Sequence, residues 1–175
     1  YVVFTLGTGI GGGVVCAGRL LRGAHGMGGE LGHLSIGGKA PCGCGGKGHL
    51  ESVAAADGLE SRGKSRGLPP DARRLWEMRE KDPVARAVWD ESLEALAEGI
   101  ASAVHTFDPE ALILGGGMSA APGLLDALRP LVEERLSDPF RPLLDLRRSS
   151  LGNGAALWGA AALWLSPDSW GPGTP

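Results

Sequence analysis

The chain has 175 residues, 43% of them hydrophobic and 21% charged, with a formal net charge of −3. That length supports one sizeable core or one lobe of a larger protein, and the charge balance gives no global attraction to nucleic acid or anionic lipid. No apolar run reaches the roughly 20 residues a membrane helix needs, and three cysteines make no disulfide framework, which points to a reducing, cytoplasmic compartment. Tyr1 opens directly on an apolar run, Tyr1 to Leu6, that reads as a strand, the expectation for a fragment whose true start lies upstream. Gly7-Thr8-Gly9-Ile10-Gly11-Gly12-Gly13 reads as a glycine loop, Val14-Val15-Cys16 as a second strand with Cys16 a small core residue, and Ala17-Gly18-Arg19 as a turn. Glycine then dominates to Gly48, broken by one short apolar alternation from Leu31 to Ile36, so this stretch builds turns and sites, not helices.

Helical signals begin near Leu50 and end at Pro69-Pro70, and a short helix is predicted around Asp71 to Arg79. The basic residues Arg62, Lys64, Arg66, Arg73 and Arg74 read as a solvated loop. Asp82-Pro83 combines an N-cap with proline at the first helical position. Apolar residues from Val84 to Val104 then recur at helical spacing, which predicts a helix of about 22 residues with one buried face. Ala111 to Leu114 reads as a buried strand ending in Gly115-Gly116-Gly117. A helix is predicted over Pro122 to Ser137, a strand over Leu143 to Leu146 and an apolar helix over Asn153 to Leu165, before a frayed tail at residues 166–175. A hairpin followed by helices alternating with strands argues for an α/β fold.

Two segments carry chemistry. Gly7, Gly9 and Gly12 satisfy G-x-G-x-x-G, but a strand follows the loop where a dinucleotide fold opens a helix, so that reading fails on context. Glycine N–H groups and the Thr8 hydroxyl could instead cradle phosphate oxygens, although a plain hairpin turn accounts for the loop equally well. The second segment is His33 with Cys42-Gly43-Cys44-Gly45-Gly46-Lys47-Gly48-His49. Two thiols and two imidazoles suit tetrahedral zinc, with His33 contributed by the preceding strand and the glycines folding the loop sharply. His25 and His105 have no ligand partners at useful spacing and read as structural or exposed.

In their order along the chain, these residues resemble the ROK family of sugar kinases and regulators. Gly7 to Gly13 is similar to the family's phosphate loop, Glu30-Leu31-Gly32-His33 to its E-x-G-H motif, and Cys42 to Glu51 to its C-x-C-G-x-x-G-C-L-E signature. Pro109 to Ser119 resembles the later segment facing the nucleotide, and Gly152 to Ala162 the family's ending. The resemblance implies the C-terminal lobe of an actin-like ATPase (ribonuclease H-like) fold over residues 1–165, with a zinc-stapled loop and residues 166–175 as a disordered tail.

By the same resemblance, Glu30, His33 and Glu51 would hold a sugar, His33 serving zinc through one ring nitrogen and sugar through the other. Gly7, Thr8, Gly9, Gly115 and Gly116 would face ATP, and His33, Cys42, Cys44 and His49 would hold a structural Zn2+. Two departures stand out. His49 occupies the place of the family's third cysteine, and the catalytic aspartate, expected in an upstream N-D motif, has no counterpart in this chain. The implied activity is ATP- and Mg2+-dependent phosphorylation of a hexose, glucose first, by a cytoplasmic enzyme of which this chain alone turns over little or no sugar. N-acetylmannosamine, fructose or allose are other substrates within the family. A sugar-responsive repressor is the alternative function, and a purely structural zinc domain leaves Glu30, Glu51 and the glycine loops unexplained. A homodimer through the apolar faces of the two long helical segments is a further expectation, with no nucleic acid and no membrane as partner of the kinase.

Overall fold

A computed structural model describes residues 1–165; the tail expected at 166–175 lies outside the described residues. Five strands form one sheet in the order β3-β2-β1-β4-β5: β1 Val2–Leu6, β2 Ile10–Cys16, β3 Arg19–Leu20, β4 Leu112–Gly115 and β5 Leu146–Arg148. The central strand β1 pairs antiparallel with β2 and parallel with β4, and β4 pairs parallel with β5. Strand alternation sends Val2, Phe4 and Leu6 into the core, each at most 1% exposed, and leaves Val3 and Thr5 on the opposite face. Burying side chains of this size stabilises by about 1.5–3 kcal/mol each.

The helices are α1 Leu50–Ala54, α2 Ala56–Ser65, α3 Ala72–Met78, α4 Pro83–Phe107, α5 Leu124–Arg135 and α6 Ala155–Leu165. Helix α4 is the spine. It begins where Asp82 Oδ1 accepts the Val84 and Ala85 N–H groups at 2.8 and 3.1 Å and Pro83 occupies the first turn. It ends where Asp108 turns left-handed (φ 42°) ahead of Pro109, after 25 residues. Its buried stripe, including Val88, Trp89, Leu96 and Ile100, packs against α1, α2, α3 and α5 in one core with β1 and β4. Among the described residues no helix is long and apolar enough to cross a membrane.

Several local expectations change. The glycine loop is confined to residues 7–9, because Gly11, Gly12 and Gly13 belong to β2, opposite Thr5, Phe4 and Val3. A Cβ on Gly12 would stand 2.3 Å from the Gly29 carbonyl oxygen, so glycine here lets the 29–31 segment lie directly on the strand. Cys16 is exposed, since it sits at the end of β2 beyond the covered part of the sheet. His33 lies on a single 3-10 turn, Leu31–His33, and not on a strand. Arg141–Leu143 forms another such turn, which displaces β5 to Leu146–Arg148.

The basic cluster lies on α2 and α3, with Arg66 at the C-cap of α2. Arg62 on α2 donates to the Val53 carbonyl at 2.8 Å and to Ser92 Oγ on α4 at 2.6 Å, and pairs with Glu91 at 3.2 Å. Ser92 Oγ also donates to the Val53 carbonyl, at 3.0 Å. The end of α1 is therefore fixed to α2 and α4 by polar as well as apolar contacts. Helix α6 carries no charged residue, and its Leu157, Trp158, Trp164 and Leu165 are exposed, whereas the long helix α4 buries its apolar face within the lobe.

Candidate functional site

Four backbone segments converge at one end of β1: the glycine turn at residues 7–9, the 3-10 turn carrying His33, the loop from Cys42 to His49, and the first turn of α1, which carries Glu51. Short antiparallel contacts hold the third segment to the second. Ser35 bridges His49, Ile36 N donates to the Gly48 carbonyl at 3.0 Å and Leu50 N to the Leu34 carbonyl at 2.9 Å. Within the loop, Cys42 N donates to the Gly46 carbonyl at 2.9 Å and Gly45 N to that of Cys42 at 3.0 Å. This tight turn brings both sulfurs to one side. A Cβ on Gly46 would lie 2.7 Å from His49 Cε1, so no larger residue fits there without moving the imidazole.

One ligand atom from each of His33, Cys42, Cys44 and His49 lies within 4.8 Å of the others. Bond lengths of about 2.0–2.3 Å in a tetrahedral zinc site put ligand atoms about 3.3–3.8 Å apart. Cys44 Sγ and His49 Nδ1 already stand 3.3 Å apart. The N2S2 donor set suits zinc, and a contraction of about 1 Å at the widest pair closes the cage. His33 and His49 meet edge to face with ring centroids 5.2 Å apart, as two imidazoles aimed at a common point would.

Glu51 joins this cluster to the glycine turn. Its Oε1 accepts from Cys42 Sγ at 3.0 Å and lies 3.6 Å from His33 Nε2. Its Oε2 accepts from Ile10 N at 3.4 Å and would touch a Cβ on Gly9 at 3.0 Å. The Cys42 thiol holds the Glu51 carboxyl below its usual range against partial burial, and the Ile10 N–H and the two histidines act in the same direction. On Cys42 the Cys44 backbone N–H acts downward. The facing carboxylate, together with burial, outweighs it and pushes the thiol up to about 11. His33 Nδ1 is 3.3 Å from Glu30 Oε2, so the imidazole sits between two carboxylates.

Two hollows flank the glycine turn. The smaller, about 370 Å³, is lined by Thr5, Gly7, Gly9, Gly11, Glu51 and Gly116 among others. The larger, about 880 Å³, runs from Gly7 and Thr8 along α3 to Gly117, Met118 and Pro122. Gly116 is left-handed (φ 81°), and a Cβ there would stand 2.3 Å from the Leu6 carbonyl oxygen, so glycine allows the β4 turn to close on β1. The turn itself is pinned from behind: Ala56 N donates to the Gly7 carbonyl at 3.0 Å and Asp57 N to that of Thr8 at 3.3 Å.

Of the residues singled out in the sequence, Glu30, His33, Glu51, Cys42, Cys44 and His49 come together. Gly7, Thr8, Gly9 and Gly116 line the hollows, and Gly115 is buried in β4 and lines neither. Sequence reasoning missed Thr5 and the wall of the larger hollow: Asp71, Trp76 and Arg79. Trp76 Nε1 donates to the Pro122 carbonyl at 3.1 Å, and the Arg79 guanidinium stacks 3.5 Å over its ring. The tryptophan in the run Arg73 to Glu80, where five of the eight residues are charged, was the available signal.

A profile described as the ROK family matches residues 1–166. The chain is 38% identical over 180 residues to a glucokinase from Thermotoga maritima, covering 93% of this chain and 57% of that protein. It is 34% identical to an N-acetylmannosamine kinase from Haemophilus influenzae, covering 92% of this chain and 53% of that one. The structure of a ROK hexokinase from Thermus thermophilus superposes with a TM-score of 0.86 at 40% identity, over 95% of this chain and 57% of that one. A ROK glucokinase from Streptomyces griseus, in complex with glucose and AMPPNP, gives 0.80 at 32%, over 93% and 59%. A ROK family transcriptional regulator, a homologue of the E. coli MLC protein, gives 0.80 at 27%, over 96% and 46%. The chain thus spans between 46% and 59% of the length of these relatives.

Proposed function

The chain belongs to the ROK family, and on that premise we propose that the protein carrying it is an ATP-dependent hexose kinase acting on glucose. The observation that carries this reading is the position of Glu51, with one carboxylate oxygen on the histidine–cysteine cluster and the other on the glycine turn. A sugar held by that carboxylate lies beside a backbone suited to phosphate. Glu30, His33 and Glu51 orient the sugar by accepting from and donating to its hydroxyls. The glycine turn, with Thr8, receives the nucleotide phosphates, and the larger hollow, walled by Trp76 and Arg79, receives the nucleoside. Magnesium bound with the nucleotide would supply charge neutralisation at the phosphates.

His33, Cys42, Cys44 and His49 hold a structural zinc, which fixes the loop that presents Glu51. The general base is no residue of this chain. Each aspartate of the chain lies in a context unlike the family's N-D motif, so the base is assigned to the part of the protein that aligns with the remaining length of the relatives. Positioning supplies much of the rate in phosphoryl transfer, so the residues named here act on turnover as well as on affinity. Glucokinases at 38% and 32% identity among the relatives support glucose, and N-acetylmannosamine kinases at 34% and 33% make that sugar the competing substrate.

A sugar-responsive regulator is the second reading, favoured by the superposition on the ROK transcriptional regulator. Calorimetric titration of the full-length protein separates the two. The kinase reading expects a hexose and a non-hydrolysable ATP analogue each to bind, and a protein that binds the sugar but no nucleotide contradicts it.

A further inference from the structure

Thr5 occupies an unusual place for a residue of a central strand: it is exposed. The cause is its two cross-strand neighbours. Gly11 on β2 and Gly115 on β4 stand in register on either side of it, so no side chain flanks Thr5 on its own row of the sheet. A Cβ on Gly11 would lie 2.6 Å from Thr5 Oγ1, and one on Gly115 would lie 3.8 Å from Thr5 Cγ2. The hydroxyl is thereby turned towards the β2 side, where the glycine turn returns, and the methyl towards β4. A β-branched side chain holds such an orientation firmly.

The Thr5 hydroxyl makes no hydrogen bond to any other described residue. It faces the smaller hollow, where Thr5 and Glu51 are the two polar side chains in the lining, alongside Gly7, Gly9, Gly11 and Gly116. A carboxylate in that hollow repels phosphate and attracts a sugar hydroxyl. A hydroxyl at the edge of the glycine turn is a donor suited to a phosphoryl oxygen. The space is cleared by glycines and the donor is left unpaired.

We infer that Thr5 is a substrate-contacting residue, donating a hydrogen bond from Oγ1 to a non-bridging oxygen of the phosphoryl group as it passes from nucleotide to sugar. The inference rests on the kinase reading above. No bond to Thr5 forms or breaks, and its proton stays on Oγ1. The contact stabilises charge on the group in flight and leaves the hexose to Glu30, His33 and Glu51.

The test uses the full-length protein with Thr5→Val, which keeps shape and strand preference and removes the donor, and Thr5→Ser, which keeps the donor. Hexose-dependent ADP formation is measured beside the sugar dissociation constant. Thr5→Val is expected to lower kcat by roughly tenfold to a hundredfold, the range for a hydrogen bond to a charged group, with sugar affinity unchanged. Thr5→Ser is expected to stay within about threefold of the wild type. Unchanged kcat in Thr5→Val overturns the inference while leaving the kinase reading intact. Weakened sugar binding at unchanged kcat overturns it too and moves the hydroxyl to the sugar. A wild-type protein that turns over no hexose overturns both.

Discussion

Glu51 faces two ways, and its environment keeps it charged. A carboxylate whose Oε2 accepts from the Ile10 backbone N–H can take a sugar hydroxyl only with the lone pairs that remain, which makes the contact directional. Replacing Glu51 with Gln keeps the size and removes the charge. The sugar dissociation constant of the full-length protein is then expected to rise roughly tenfold to a hundredfold, about 1.5–3 kcal/mol, while zinc content is unchanged because Glu51 is not among the four convergent ligands. The Cys42 thiol, pushed up to about 11, is protonated at neutral pH in the metal-free site and loses that proton to bind zinc. Zinc affinity is therefore expected to rise with pH, by about tenfold per unit from Cys42 alone, as long as the pH stays below the thiol's pKa. Competition with a chelator between pH 6 and 8 measures it, and a flat profile excludes Cys42 as a ligand.

At the scale of elements, α1 matters more than its five residues suggest. Leu50 opens it, is fully buried, and rests on Gly99 in the middle of α4, where a Cβ would lie 2.5 Å from Leu50 Cδ2. The next residue is Glu51, so the depth to which Leu50 inserts sets the height of the carboxylate. Leu50→Ala is expected to cost about 2–5 kcal/mol by leaving a cavity, and Gly99→Ala about 1–3 kcal/mol by overpacking. Because the new methyl enters the space Leu50 leaves, the double variant is expected to cost less than the sum. Denaturant midpoints of the four proteins check this, and strict additivity would show that the two residues do not share one space. This contact was not legible in the sequence. The periodicity of α4 marks which face is buried, but it does not say which short helix a glycine on that face admits.

For the whole molecule, local chemistry was readable and placement in space was not. The cap at Asp82, the short helix after Asp71, the β1–β2 hairpin, the buried strand before Gly115 and the helix before Ser137 all followed from residue types and spacing. The histidine–cysteine cluster was found as well, because its ligands lie within 17 residues of sequence and glycine ties them together. What failed depended on tertiary neighbours. His33 reaches the cluster from a single turn and not a strand, and Cys16 stays exposed. The basic residue Arg62 is drawn down onto the Val53 carbonyl and Ser92. Thr5, Trp76 and Arg79 became visible only once β1, α3 and the glycine turn were placed together.

The most direct test of the central claim is hexose-dependent ADP formation by the full-length protein across a panel containing glucose and N-acetylmannosamine, at defined zinc and magnesium. Turnover with glucose is expected, and it is expected to fall when Glu51 is replaced by Gln. Sugar binding without any ADP formation would contradict it and leave the regulator as the surviving reading.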